Sequence, residues 1–249
     1  MVILMRIGII SDIHGNLEAL ESTLNFLKGK TDILVSLGDI VGYGPDPEKC
    51  VEIISEKNML ALRGNHEESL ITEDFSRLKD TARISLEWTQ KNLPFSYIEK
   101  FKGWPEKAEK TGTLFAHASL SNPLYRYIFT GKDTEEEFPL LNGSVCFIGH
   151  THTPGAFKQD ISTGKIETIL PDFSGTLNIV MDTEHKYIIN TGSVGQPRDG
   201  FPFACAVIYE KEKGSVNLHR IEYPSEITRK KIIERGLPSV LAGRILRAI

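Results

Sequence analysis

The chain has 249 residues, of which 40% are hydrophobic and 25% charged, with a formal net charge of −4. That composition is ordinary for a globular protein and excludes disorder, collagen-like repeats and a coiled coil. No apolar run reaches the roughly 18 residues that span a bilayer, and the acidic balance argues against broad nucleic-acid binding.

The elements follow in chain order. Met1–Met5 is apolar but lacks a basic n-region and a small-residue cleavage site, so no signal peptide is expected. Arg6–Ser11 reads as a buried strand. Asn16 is placed to cap a helix whose apolar face is Leu17, Leu20, Leu24 and Leu27. Ile33–Leu37 is a second strand, and Gly38–Pro47 a glycine-rich loop. Asp46-Pro47 then opens a helix to Lys57, with proline at its first position. Met59–Leu62 is a third strand, so this half predicts crossover connections and a largely parallel sheet. Residues 66–93 read as helical, anchored by Leu78, Ile84, Leu86 and Trp88. Thr113–Ala116 and Val145–Ile148 are further strands, and 119–142 between them reads as an insertion or lid.

From Gly155 to Tyr223 short β-rich segments predict a second, mixed or antiparallel sheet. They are Ile166–Leu170, Thr176–Met181, Tyr187–Ile189, Phe203–Tyr209 and Val216–Ile221. A helical tail, 225–249, holds Ser225–Arg235 and Pro238–Ile249. With no repeat and no linker, 1–249 reads as one domain of two packed sheets with helices outside. Cys50, Cys146 and Cys205 are far apart in apolar contexts, as expected of buried free thiols in a reducing cytoplasm.

Five polar clusters carry the chemistry: Ser11-Asp12-Ile-His14-Gly15-Asn16, Gly38-Asp39, Gly64-Asn65-His66-Glu67, Ala116-His117-Ala118 and Gly149-His150-Thr-His152. Each follows a strand-like run, and in open α/β sheets the loops at the carboxyl ends of strands build the site. Asp12 and His14 are two residues apart, as are His150 and His152. In extended chain such residues face the same side. Gly38, Gly64 and Gly149 precede Asp39, Asn65 and His150 and permit close backbone approach. The ligand set is nitrogen and oxygen without thiolate, which suits Mn, Fe, Co, Ni or Zn. Asp12, His14, Asp39, Asn65, His117, His150 and His152 are too many for one ion; two ions sharing Asp39 would use them all.

This ordered set resembles the calcineurin-like metallophosphoesterase superfamily, whose pattern is D-x-H, GD, GNH[DE], H and GHxH, and within it the small prokaryotic branch. The resemblance runs from residue 6 to 152. It implies an α/β fold, a four-layer α-β-β-α sandwich of two mixed sheets, and a site for two divalent ions, with manganese the first choice. It also implies Asp12, His14 and His152 on the first metal, Asn65, His117 and His150 on the second, and Asp39 as the bridge. His66 is then no ligand but sits beside the scissile phosphate as general acid or transition-state stabiliser. A metal-bridging hydroxide would attack phosphorus in line. The implied activity is hydrolysis of a phosphodiester or phosphomonoester on a small, nucleotide-like substrate. The rival readings are a dinucleoside polyphosphate hydrolase and a non-catalytic metal-binding scaffold.

Arg63, Tyr43 and Arg198 are candidate substrate contacts, Arg198 within the loop Asn190-Thr-Gly-Ser193-Val-Gly-Gln196-Pro-Arg198-Asp199. Tyr125 and Tyr127 are further candidates for the pocket wall. Glu67 is read as favouring the first turn of a helix, where carboxylates suit the macrodipole, and Asn16 as a cap. His185 and His219 are read as structural. The loop Gly42-Tyr43-Gly44-Pro45 lacks the Asp-Arg pair of the protein phosphatase branch, which argues against that activity. The basic tail reads as a solvated helix face, its last helix packing on the body or on a second subunit.

Overall fold

A computed structural model describes residues 4–57 and 59–249. Met1–Ile3, the first part of the apolar start, lie outside the described residues.

Two mixed six-stranded sheets face each other. The first contains β1 (Arg6–Ile10), β2 (Ile33–Ser36), β3 (Leu60–Ala61), β9 (Leu177–Val180), β11 (Ala204–Glu210) and β12 (Ser215–Ile221), in the order β3-β2-β1-β11-β12-β9. The second contains β4 (Lys107–Lys110), β5 (Thr113–Ala116), β6 (Val145–Ile148), β7 (Gly155–Asp160), β8 (Ile166–Ile169) and β10 (His185–Asn190), in the order β4-β5-β6-β10-β7-β8. β1, β2 and β3 run parallel, and so do β5, β6 and β10. Each sheet therefore has a parallel block of three strands and an antiparallel remainder.

Alternation puts one face of each strand between the sheets. Ile7, Ile9, Phe115, Phe147, Tyr187, Ile189, Val207 and Tyr209 meet there, all buried. The intervening residues face outward. On the first sheet they pack on α1 (Leu17–Leu27) and α2 (Pro47–Glu56) through Leu20, Leu27, Cys50 and Ile54. On the second they pack beneath 119–142, through Leu120, Ile128, Phe138 and Leu141. That covering layer is thin, its only regular pieces being 3-10 turns at Gly131–Thr134 and Phe138–Leu140.

Two expectations are corrected. The strands after Gly155 do not form a sheet of their own: β9, β11 and β12 join the first sheet, and β7, β8 and β10 the second. Segment 66–93 is not one helix. α3 (Asn65–Thr72) ends at Glu73, whose φ of 55° turns the chain out of helical geometry, and α4 (Asp80–Asn92) starts afresh. A further helix, α5 (Phe95–Phe101), follows Pro94, and the strands β4 and β7 carried no sequence signal strong enough to be read.

The tail forms α6 (Ser225–Glu234) and α7 (Ser239–Arg247). Ile232, Leu237, Leu241 and Ile245 make a small core of their own against Tyr43, Trp88 and Tyr223, so the tail packs on the body. Its basic residues are largely neutralised: Lys231 meets Glu18 and Asp46, and Arg235 meets Asp46 at 2.8 Å. The three cysteines are buried and free. Among the described residues no helix is long and apolar enough to cross a membrane.

Candidate active site

The candidate ligands all lie just beyond the carboxyl ends of the two parallel blocks. Asp12 and His14 follow β1, Asp39 follows β2, Asn65 and His66 follow β3, His117 follows β5, and His150 and His152 follow β6. The convergence does not come from an extended chain, as the i, i+2 spacing suggested. Asp12, His14, Asp39, His150 and His152 all have positive φ, between 50° and 66°. Left-handed backbone is costly for such residues and persists only where surrounding contacts impose it. Here the loops bond to one another: Asp12 N–H donates to the Gly38 carbonyl at 3.0 Å and His14 N–H to the Asp39 carbonyl at 2.9 Å. The loop after β10 adds Gly195 N–H and the Ser193 hydroxyl, both donating to the Asp12 carbonyl. Two glycines are required by proximity. A Cβ at Gly64 would overlap the Asp39 carboxylate, and one at Gly149 would overlap Ser11 Oγ and Asp12 Oδ2.

The ring nitrogens are assigned by their outer partners. His14 Nδ1 lies 3.0 Å from the Val41 carbonyl, His117 Nδ1 3.1 Å from the Leu37 carbonyl, and His152 Nδ1 2.6 Å from the Gln196 carbonyl. A carbonyl only accepts, so each Nδ1 carries the proton and each Nε2 presents a lone pair inward. His14 Nε2 and His152 Nε2 then face each other at 3.0 Å. Burial first, then neighbouring charges, lower the pKa of both rings, so both are neutral. Two lone pairs at that distance repel unless both point at one cation, which is how imidazoles are set in a metal site.

The ligand atoms gather in three groups, each within 4.8 Å: Asp12, His14 and His152; His14, Asp39 and His66; and Asp39, His117 and His150. Asp39 Oδ2 lies 3.7 Å from His14 Nε2 and 3.5 Å from His117 Nε2, so it stands between the outer groups. Asn65 Oδ1 and His150 Nδ1 both lie 3.1 Å from His117 Nε2. Asp12 Oδ1, 3.3 Å from His152 Nε2, has no hydrogen-bond partner although buried. Burial, then Glu67 and Asp12, push the Asp39 carboxyl well above the usual range. Hard carboxylate oxygens and neutral imidazoles facing one buried space suit first-row divalent ions.

His66 is buried, with Nε2 3.9 Å from Asp39 Oδ2 and Nδ1 without a partner. Its N–H donates to Asp39 Oδ1 at 3.0 Å. Burial, then His152 and His117, lower its pKa to about 3, so the ring is neutral near pH 7.

A cleft of about 400 Å³ opens over Asp39, Asn65, His66, His150 and His152. Tyr43 and Arg198 line it, the guanidinium 5.7 Å from the Tyr43 ring and bonded to Gln196 Oε1. Tyr127 reaches in from 119–142 and stacks on His150 at 4.0 Å. Arg63 is not brought to the cleft: Glu68, Glu106 and the Trp104 carbonyl hold it. Tyr125 lies instead beneath Arg77. Asn16 caps α1 by accepting from Ala19 N–H, and its amide also donates to the Gly195 carbonyl. His185 bonds Asp182 and His219 packs on Phe26, both away from the centre.

Glu67 does more than sit in a helical first turn. Its buried carboxylate accepts from four backbone N–H groups, those of Gly64, Asp39, Ile40 and Val41, at 2.7–3.1 Å. The Gly-Asn-His-Glu spacing signals the bond to Gly64, as in a capping box. The reach to the neighbouring loop has no local signal.

Two facing mixed sheets with a buried histidine–carboxylate centre at their parallel ends define a metal-dependent hydrolase. The family model for calcineurin-like phosphoesterases matches residues 5–154, and the chain belongs to that family as a metal-dependent phosphoester hydrolase. A metallophosphoesterase of Sphaerobacter thermophilus superposes with a TM-score of 0.85 at 34% identity, covering 99% of this chain and 100% of that one. The protein MJ0912 of Methanocaldococcus jannaschii is 32% identical over 96% of each chain. Phosphodiesterase YfcE of Escherichia coli is 28% identical over 168 residues, 63% of this chain and 74% of its own.

Proposed function

We propose that the chain hydrolyses a phosphate ester of a small, nucleotide-like molecule with two divalent ions, manganese first among them. The observation that carries this reading is the position of Asp39, whose Oδ2 lies between His14 Nε2 and His117 Nε2 at 3.7 and 3.5 Å. One ion would be held by Asp12, His14 and His152 and the other by Asn65, His117 and His150, with Asp39 shared. Such ions supply Lewis acidity toward the phosphoryl oxygens and a nucleophile from water near neutral pH.

The chain's own residues do the rest. Val41, Leu37 and Gln196 carbonyls fix three imidazoles with their lone pairs inward. Asp39 Oδ1 orients His66 through its backbone N–H. A neutral His66 serves better as an N–H donor to the phosphoryl or leaving oxygen than as an imidazolium acid. Arg198, beside Tyr43 at the cleft wall, offers planar donors to a phosphate oxygen. YfcE is named a phosphodiesterase, which favours diesters as the first substrates to try.

The test strips the protein of metal and restores Mn, Ni, Co, Mg or Zn. It then measures hydrolysis of p-nitrophenyl phosphate and bis(p-nitrophenyl) phosphate. Metal-dependent turnover that collapses in Asp39→Asn and His66→Ala is expected. Metal-bound protein without turnover of either ester would move the reading to an anhydride substrate or to a binding scaffold.

A further inference from the structure

Besides the residues of the centre, the cleft is lined by Arg77, Lys79, Arg198 and Arg244, and among the described residues Asp39 is the one side-chain carboxylate in its wall, with the main chain of Ile249 at its rim. This concentration of positive charge occurs in a chain whose net charge is −4. Elsewhere most arginines are held by carboxylates, among them Arg6 by Asp32, Arg83 by Glu87, Arg126 by Glu136 and Arg220 by Asp199, the exception being Arg247, which bonds the Gly243 carbonyl. Among the described residues, Arg77, Lys79, Arg198 and Arg244 have no carboxylate partner.

They also come from separate parts of the chain. Arg77 and Lys79 lie between α3 and α4, Arg198 follows β10, and Arg244 is on α7. Packing holds them together: Leu241 and Ile245 seat α7 against Tyr43 and Trp88. Like charges fixed around one small space repel each other, and an anion entering it removes that repulsion. Leu78, Ala82 and Ile249 line the same cleft and give an organic body apolar contact. A volume of about 400 Å³ suits a small molecule rather than a polymer.

The geometry points to a substrate with two anionic groups: the phosphoryl group at the His/Asp centre, and a second, phosphate-class group held by Arg77, Lys79 and Arg244. This rests on the reading under Proposed function and adds the chemical class of the molecule.

The test is calorimetric binding to the manganese-loaded protein, which does not depend on which ester is cleaved. Two pairs of probes are compared: adenosine 3′,5′-bisphosphate against adenosine 5′-monophosphate, and fructose 1,6-bisphosphate against fructose 6-phosphate. The bisphosphate of at least one pair is expected to bind at least tenfold tighter, with a gap that narrows as salt is raised. Arg77→Ala, Lys79→Ala and Arg244→Ala should each shrink that gap severalfold in protein with an unchanged melting profile. Equal affinity within both pairs, no binding of any probe, or equal losses for bisphosphate and monophosphate would overturn the proposal. Failure of p-nitrophenyl ester hydrolysis would instead strike the phosphoesterase reading and leave the binding gap to be judged by itself.

Discussion

Glu67 makes a quantitative test of how the site is held. Its carboxylate is buried and accepts from the N–H groups of Gly64, Asp39, Ile40 and Val41. Burial pushes its pKa up, and the four N–H groups pull it back. Glu67→Ala leaves four buried donors without a protein acceptor, each costing about 1–3 kcal/mol. Water entering the vacated space offsets part of that, so the expected loss is about 3–5 kcal/mol. For a chain of this length that lowers Tm by about 10 °C. Glu67→Gln keeps the shape, but its NH2 end must face two of the N–H groups, so about half the loss remains. The same loop carries Asp39 and the Val41 carbonyl that orients His14, so both variants should also lose metal. Thermal unfolding by circular dichroism, with metal content by mass spectrometry, reads both effects. A Glu67→Gln protein melting within about 2 °C of the parent and keeping its metal would refute the reasoning.

Three further outcomes are expected. His14, His66, His117, His150 and His152 all have lowered pKa values, burial being the first cause, with His117 at about 4 and His66 at about 3. The unfolded chain therefore binds protons that the metal-free native chain does not, and stability falls as pH drops below about 6.5. Asp39 and Glu67, raised by burial, act with the opposite sign, leaving a slope of at most roughly 4 kcal/mol per pH unit. Denaturant melts of the metal-free protein between pH 7 and 5 measure it, and a flat profile would contradict the assignment. Gly149→Ala drives a Cβ into Ser11 Oγ and Asp12 Oδ2, which should cost about 1–3 kcal/mol and weaken metal binding in calorimetry. Tyr127→Ala removes the ring stacked on His150; at about 0.5–1.5 kcal/mol for such a pair, Tm should fall by about 1–5 °C in thermal unfolding, and an unchanged Tm would contradict the stack.

Much of the site was legible because its signals are local. Each candidate cluster directly follows a short apolar run, and each of Gly38, Gly64 and Gly149 stands before a candidate ligand. The first three strands, α1 with its Asn16 cap and α2 with its proline opening were readable for the same reason. What could not be read depends on contacts across the chain. β9 and β12 alternate and β11 is an apolar run like any buried strand, and nothing local says that β11 pairs with β1 rather than with β10. β4, Lys107–Lys110, is a short polar edge strand without an apolar run. Arg63 looked free beside Gly64 because its partners Glu68 and Glu106 are fixed by folding. The Asp-x-His spacing pointed to convergence for an incorrect geometric reason. Left-handed turns, not strand pleat, aim those side chains, and positive φ at Asp and His carries no reliable sequence mark.

The central claim is that Asp39 is shared by two metal ions. A crystal grown with manganese, with anomalous scattering measured for the parent and for Asp39→Asn, tests it directly. Two peaks per parent chain are expected. One lies among Asp12, His14 and His152, the other among Asn65, His117 and His150, and Asp39 reaches both; the Asp39→Asn protein should lose at least one. A single peak in the parent, or two peaks that survive unchanged in Asp39→Asn, would contradict it.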